Sequence, residues 1–322
     1  MHILILGGGG FLGRRLAKEL IENGGLTQGK LTHLTLVDVA FPEDMLQDSR
    51  LECIEADFSD EAAITGILQH HPDVIFHLAA IVSGEAEKNF DVGMKINFHA
   101  SLQILELCRK LAIHPRIVFS SSCGVFGGDV SKVISDETGP KPRSSYGTQK
   151  AMVELLMNDY SRRGFIDARS LRLPTITVRP GKPNAATSSF LSAIIREPLH
   201  GKSASYPVPS ETAFWIQSPK RVIQNFIHAA NIDEKVLGDD RVINLPGLTA
   251  SVQEMIKSLE QITNSEVTKL ISYEPDTFLQ SIVLTWPPHF DTLKANKLGF
   301  VSDTSVEEII RSYMDEEAIV NI

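Results

Sequence analysis

The feature that most limits what this chain can fold into is an alternation that runs through its first half. Short β-like runs, apolar enough to be buried on both faces, are separated by longer stretches with helical spacing. HILIL (2–6) passes through glycines into FLGRRLAKELIEN, and LTLVDV (34–39) and LECIEAD (51–57) follow as strands. AAITGILQHH reads as helix and DVIFHLAA (73–80) as the fourth strand. NFHASLQILELCRKL is an amphipathic helix, RIVFSSS (116–122) a buried strand, YGTQKAMVELLMNDYSRRG a helix and ARSLRLPTITV (168–178) strand-like. Strands and helices in strict alternation predict an α/β fold built on a doubly wound parallel sheet.

Past Pro180 the pattern changes. PGKPNAATSS is loop-like, whereas KRVIQNFIHAAN and RVINLP (241–246) read as a helix and a strand returning to the parallel sheet. Residues 248–322 mix short helices and strands. The chain is therefore expected to form a nucleotide-binding domain from 1–180 plus 217–247. A smaller, discontinuous α+β substrate-binding domain is expected from 181–216 plus 248–322.

Composition narrows the partners. The 322 residues are 43% hydrophobic and 22% charged, ordinary for a globular enzyme. A formal net charge of −9 argues against a nucleic-acid partner, because neutralising phosphates needs clustered Lys and Arg. Cys53, Cys108 and Cys123 form no CxxC pair and the ten histidines lack ligand-like spacing, so neither disulfides nor a metal are expected. The apolar run in MHILILGGGG is too short for a signal peptide, and no segment approaches the ~20 apolar residues of a membrane span. A cytoplasmic protein with no membrane partner is the expectation.

LILGGGGFLGRRLAKEL sets Gly7, Gly10 and Gly13 in a GxxGxxG pattern between a strand and a helix. Gly7 permits the tight turn, Gly10 lets backbone N–H groups approach a pyrophosphate, and Gly13 lets the helix pack closely on the strand. The helix N-terminus adds partial positive charge for the phosphates. The sheet is thus expected to be Rossmann-type. Asp38, ending the second strand, stands where a carboxylate accepts hydrogen bonds from ribose hydroxyls and repels a 2′-phosphate, which favours NAD over NADP. Asp57 and Phe58, after the third strand, are candidates to border the adenine.

Tyr146 and Lys150 lie four residues apart, on one face of a helix. A phenol titrates near 10 and is a poor base at neutral pH. A neighbouring ammonium and an oxidised nicotinamide both favour the phenolate, giving an acid/base suited to an alcohol or carbonyl oxygen. By itself YxxxK is equally a surface Tyr–Lys pair. The upstream VFSSSCGVFG supplies context, a strand ending in hydroxyls where open α/β sheets bind ligands. Spacing alone does not choose among Ser120, Ser121 and Ser122.

Taken together, GGGGFLG, VD (37–38), AD (56–57), HLAA (77–80), Asn97, SSSCGVFG and YGTQK resemble the extended short-chain dehydrogenase/reductases, the NAD-dependent epimerase/dehydratase superfamily. The C-terminal DTLKANKLGFVSDTSVEEII resembles that family's last segment, so the likeness spans nearly the whole chain. The resemblance implies a catalytic trio of Ser122, Tyr146 and Lys150. It implies nucleotide contacts from Phe11, Leu12, Asp38, Asp57, Leu78, Ala79 and Ala80. Lys150 would also hold the nicotinamide ribose, Pro174 would lie beside the nicotinamide, and Asn97 would support a water relay. A homodimer through the helices at 94–112 and 146–163 is implied as well.

The chain departs from the nucleoside-diphosphate-sugar epimerases and dehydratases at informative places. VFG (125–127) replaces VYG, and Pro174 stands near where the epimerases carry a diphosphate-binding Asn. AAIVSGEAE, DYSRRGF, VRPGKPNAA and REPL resemble a narrower group, the bacterial D-erythronate dehydrogenases, which implies NAD-dependent oxidation of the C2 hydroxyl of a small sugar acid to 2-oxo-tetronate. A small carboxylate calls for a planar guanidinium fork. Arg179 is the first candidate, Lys182 and Arg196 are the alternatives, and each reads equally as a solvated cation. Asn184 lies in the same stretch. Ser83 is a candidate donor to a substrate hydroxyl or a loop serine, and Trp215 a roof to the site or packing.

Overall fold

The first strand shows how the sheet is buried. In His2–Leu6 (β1) the side chains of Ile3 and Ile5 enter one apolar cluster and those of Leu4 and Leu6 another, because successive residues point to opposite faces. A strand apolar at every position from Ile3 to Leu6 is thereby committed to the middle of a sheet covered on both sides. The computed structural model describes residues 1–128, 133–181 and 186–319.

The other strands of that sheet are His33–Asp38 (β2), Leu51–Glu55 (β3), Val74–His77 (β4), Arg116–Ser122 (β5), Asp167–Leu173 (β6) and Val242–Asn244 (β7). All pair in parallel, in the order β3-β2-β1-β4-β5-β6-β7. Strand order reverses between β1 and β4, and the crevice outside the carboxyl ends there is where such sheets bind ligands. The expected doubly wound sheet is present. The strand foreseen over 168–178 is split at Pro174, which has no N–H to give a ladder; the chain leaves the large sheet and pairs Thr175–Ile176 with Ile216 and Gln217 instead.

The helices Phe11–Glu22 (α1), Glu61–Leu68 (α2), Ala100–Lys110 (α3), Ser145–Arg162 (α4), Ser189–Leu199 (α5), Pro219–Asn231 (α6), Val252–Ile262 (α7) and Val306–Glu316 (α8) complete the frame. Leu16 and Leu20 of α1 and Val222 and Phe226 of α6 cover one face of the sheet. Ile64 and Leu68 of α2, Ile104 and Leu105 of α3, and Val153 and Met157 of α4 cover the other. The helix expected from residue 97 starts with a π-helical turn, Met94–His99. A third apolar cluster joins Val178, Leu191 and Ile194 of α5, Phe214, Met255 of α7, and Ile310 and Tyr313 of α8. Ala295 and Phe300 pack instead with α1 and α6 on the large sheet. Among the described residues no helix is long and apolar enough to cross a membrane, and no group of three or more His, Cys, Asp or Glu could hold a metal ion.

His77 at the end of β4 is fully enclosed. Its Nε2 lies 2.8 Å from Ser101 Oγ, which itself donates to the Asn97 carbonyl, so Nε2 carries the proton. Burial, with the Lys150 charge adding to it, pushes the imidazole down to about 3. Below about pH 6.5 the unfolded chain takes up a proton here that the folded chain refuses. The stabilisation is therefore complete above pH 6.5 and declines towards pH 3. Lowering the pH from 7 to 5.5 is expected to cost about 1 kcal/mol through this residue. Urea titrations of the wild type and His77→Gln over that range should show the variant's stability varying less with pH; equal slopes would contradict the assignment.

Candidate active site

The turns leaving β1, β4, β5 and β6 open into one cleft. Its lining includes Phe11, Leu12, Leu78, Ala80, Ser83, Ser122, Tyr146, Lys150, Pro174 and Arg179. Residues that the sequence scatters over 170 positions thus share a wall, because parallel strands deliver all their carboxyl ends to one side.

The glycine loop joins β1 to α1. Gly7 has a left-handed φ of +87°, and a Cβ on Gly13 would come within 2.2 Å of the Gly7 carbonyl oxygen, so only glycine lets α1 start this close to β1. Gly10 is the N-cap of α1, with no side-chain cap and no acidic residue in the first turn. The free N–H groups and the positive helix end therefore face the opening uncompensated, which fits a pyrophosphate. Asp38 closes the loop from β2: its Oδ2 accepts from the Gly9 N–H at 3.0 Å and its Oδ1 from the Val39 N–H at 2.8 Å. Asp57 caps its own turn through Ser59 and lies 3.4 Å from Lys95 Nζ. Ala79 is half-buried with its N–H bonded to the Leu6 carbonyl. Phe58 is in the core, edge-on to His77.

The three consecutive serines at the end of β5 separate into three environments. Ser122 caps the short turn Cys123–Val125, its Oγ accepting from the Gly124 N–H at 3.0 Å. Ser121 Oγ donates to Glu154 Oε1 at 2.5 Å, and the Ser120 carbonyl accepts from Lys150 Nζ at 2.8 Å. Ser122 is the one whose hydroxyl reaches Tyr146. Burial pushes the phenol up to about 12, against the pull of the Ser122 hydrogen bond and the Arg179 charge. Burial pushes the Lys150 ammonium down to about 7, with Glu154 acting in the opposite direction. Lys150 Nζ lies over the Phe119 ring at 4.6 Å and 5.7 Å from the Tyr146 ring centre. Arg179 is thus a second cation bearing on the phenol, a finding that helical spacing could not supply.

Helix α4 comes this close to β5 because residue 147 is glycine. A Cβ there would lie 2.1 Å from the Gly124 carbonyl oxygen. Asn97, from the π-helical turn, is consumed by structure: it accepts from the Ile81 N–H at 2.8 Å and donates to the Ile81 carbonyl at 3.0 Å and to Gln149 Oε1 at 2.8 Å. It ties the loop after β4 to α4.

Arg179 enters from the opposite side, after Thr175–Ile176. Its Nε donates to the Ile176 carbonyl at 3.0 Å and its Nη2 to Ser188 Oγ at 3.1 Å, while Nη1 has no partner among the described residues. Arg196 stands behind it, giving Nη1 to the Arg179 carbonyl at 2.8 Å and Nε to Glu197. Ser83 Oγ is 3.1 Å from Thr187 Oγ1. Trp215 lines the cleft, stacked on Phe290 at 5.1 Å with its Nε1 donating to the Leu245 carbonyl. Trp286 and Pro287 line it too, and no local sequence pattern points to them. Lys182 and Asn184 fall outside the described residues.

A dinucleotide cradle opening onto a phenol, a hydroxyl and a buried ammonium is the equipment of an oxidoreductase that works with a nicotinamide. The model of the NAD dependent epimerase/dehydratase family matches residues 3–230, and the chain belongs to that family. Its cofactor is NAD. The chain is 45% identical over 323 residues to D-erythronate dehydrogenase of Cupriavidus necator, covering 99% of both chains. It is 43% identical over 315 residues to the enzyme of that name from Haemophilus influenzae, covering 98% of this chain and 99% of the other. Among solved structures, a protein described as the nucleoside-diphosphate-sugar epimerase from Agrobacterium tumefaciens superposes with a TM-score of 0.93 at 42% identity, over 99% of this chain and 94% of that one.

The Gly147–Gly124 approach can be tested alone. Gly147→Ala must part α4 from the turn after β5 by a substantial fraction of an ångström, and misplacement on that scale costs about 100-fold in rate. We expect kcat to fall by about that factor with NAD affinity changed far less. An unchanged kcat would show that the close approach does not set the geometry.

Proposed function

We propose that the protein oxidises the C2 hydroxyl of D-erythronate to 2-oxo-tetronate with NAD, through Ser122, Tyr146 and Lys150. The observation that carries this reading is Arg179: a guanidinium whose Nη1 has no partner among the described residues, in the same cleft as the Ser122–Tyr146 pair. A fork so placed suits a carboxylate one carbon away from the reacting hydroxyl. The names of the two relatives, alike over nearly their full length, support the four-carbon acid.

NAD, when bound, accepts the hydride that leaves C2. Its phosphates would be held at the Gly10–Leu12 helix start, its ribose hydroxyls by Asp38, and its nicotinamide ribose by Lys150, with Phe11, Leu78, Ala80 and Pro174 along its path. The Ser122 hydroxyl orients the C2 oxygen, and the Tyr146 phenolate Oη takes its proton as the carbonyl forms. Arg179 already pulls on a phenol that burial holds near 12, and Lys150 with the positive ring of oxidised NAD would bring it further towards working pH. Ser83 donates to a hydroxyl further along the acid, and Trp215 with Trp286 limits its length. Asn97 acts by holding Ile81 and Gln149 in place. Residues 1–180 plus 217–247 carry the cofactor and the remainder carries the acid. A homodimer through α3 and α4 is part of the proposal on family analogy alone.

Purified protein given NAD and D-erythronate should produce NADH, read by its absorbance. No NADH with the acid, together with conversion of a UDP- or dTDP-sugar, would replace the assignment with an epimerase that keeps its cofactor. Tyr146→Phe should lower turnover by about 10²- to 10⁴-fold with NAD binding retained; full activity would remove Tyr146 from the chemistry. Arg179→Gln should raise KM for the acid by about tenfold or more and leave KM for NAD little changed. An unaltered KM for the acid would move the carboxylate elsewhere.

A further inference from the structure

The reading above uses Lys150 and leaves unexplained what lies beneath it. Glu154 follows Lys150 by one helical turn on α4 and is 2% exposed, in a place where a carboxylate needs partners. It has three bonds. Arg172 of β6 grips it bidentately, Nε to Oε1 at 3.0 Å and Nη2 to Oε2 at 2.7 Å, and Ser121 Oγ donates to Oε1. Arg172 is fixed in turn by Asn244 Oδ1 of β7 at 3.3 Å and lies over the Phe126 ring at 4.8 Å. Ser121 and Arg172 are register partners on adjacent strands, so the clamp is built into the sheet.

We infer that Glu154, locked by Ser121 and Arg172, is a positioning residue for Lys150. It supplies the fixed counter-charge that keeps the Lys150 ammonium protonated and seated on the Ser120 carbonyl. This rests on Lys150 being the cation of the proposed mechanism.

The groups around Lys150 leave Glu154 that role. From β4 comes His77, which burial holds neutral. From β5 come the Ser120 carbonyl and the Phe119 ring. From β6 comes Arg172, a second cation, whose charge is engaged by Glu154. On α4 itself Tyr146 is neutral until it gives up its proton. Glu154 is thus the one negative charge among these neighbours, and its influence opposes the effect of burial on the ammonium. The run Ser120–Ser121–Ser122 then has three separate uses: a carbonyl for the ammonium, a hydroxyl for its counter-charge, and a hydroxyl towards Tyr146.

The test follows the titration of Lys150 in the holoenzyme. In protein labelled with [ε-¹³C]lysine, the Lys150 resonance is the one missing from Lys150→Met, and its midpoint is read with NAD bound. In Glu154→Gln/Arg172→Gln, which removes both buried charges together, the midpoint should fall by about one pH unit or more. The acid limb of kcat/KM for oxidation should rise by a similar amount, because less ammonium means a less acidic Tyr146. Ser121→Ala keeps both charges and folds with the smallest disturbance; it should shift both readouts the same way by less. If the double variant does not fold, Ser121→Ala decides. Midpoint and acid limb both unchanged in the folded variants would overturn the assignment. The NMR midpoint needs no substrate, so a shifted midpoint without turnover of D-erythronate would keep the role of Glu154 and sink the substrate assignment.

Discussion

The structure around the active site depends on one expensive act, the burial of the Lys150 ammonium beneath the strand ends. An isolated ammonium in such a place costs several kcal/mol, enough to deprotonate it. What offsets the cost is assembled from one strand and a helix: the Ser120 carbonyl and the face of Phe119 on β5, and Glu154 across one turn of α4. Glu154 is itself tolerable only because Arg172 and Ser121 hold it. The buried ammonium thus depends on residues of β5, β6 and α4 that lie beyond the Tyr146–Lys150 spacing.

The same arrangement explains why helix and sheet lie so close. Gly147 and Gly124 touch through backbone, and Gly13 does the same for α1 and the loop after β1. Two helices, α1 and α4, are brought against the ends of β1 and β5 and leave a cleft between them. Pro174 then turns the chain out of the large sheet, and Arg179 arrives from the far side with Arg196 behind it. The side of the cleft at the glycine loop is made by the strand ends of one sheet, whereas the side at Arg179 is made by segments far apart in sequence.

That contrast sets how much could be read from the residues alone. The doubly wound sheet was legible because strands buried on both faces and amphipathic helices carry opposite periodicities. The glycine loop, Asp38 and the Tyr146–Lys150 pair could be picked out by local spacing, whereas Ser122 was singled out among three serines only by the family resemblance. Glu154 and Arg172 were not, since a carboxylate and a guanidinium 18 residues apart meet only through the β5–β6 register. Gly147 lies in a stretch that reads as helix, and the need for glycine there follows only from its approach to Gly124. Asn97 carries a family motif, yet its amide is spent on Ile81 and Gln149. Trp286 and Pro287 come from a segment whose path follows from the packing of the third apolar cluster, which no local pattern announces.

The central claim is that hydride leaves C2 of a four-carbon acid while Tyr146 takes the hydroxyl proton. D-Erythronate carrying deuterium at C2, turned over with NAD, tests it most directly. Deuterium should appear in the reduced nicotinamide, with 2-oxo-tetronate as product. Unlabelled NADH, or deuterium retained in the product, would place the oxidation at another carbon and contradict the account.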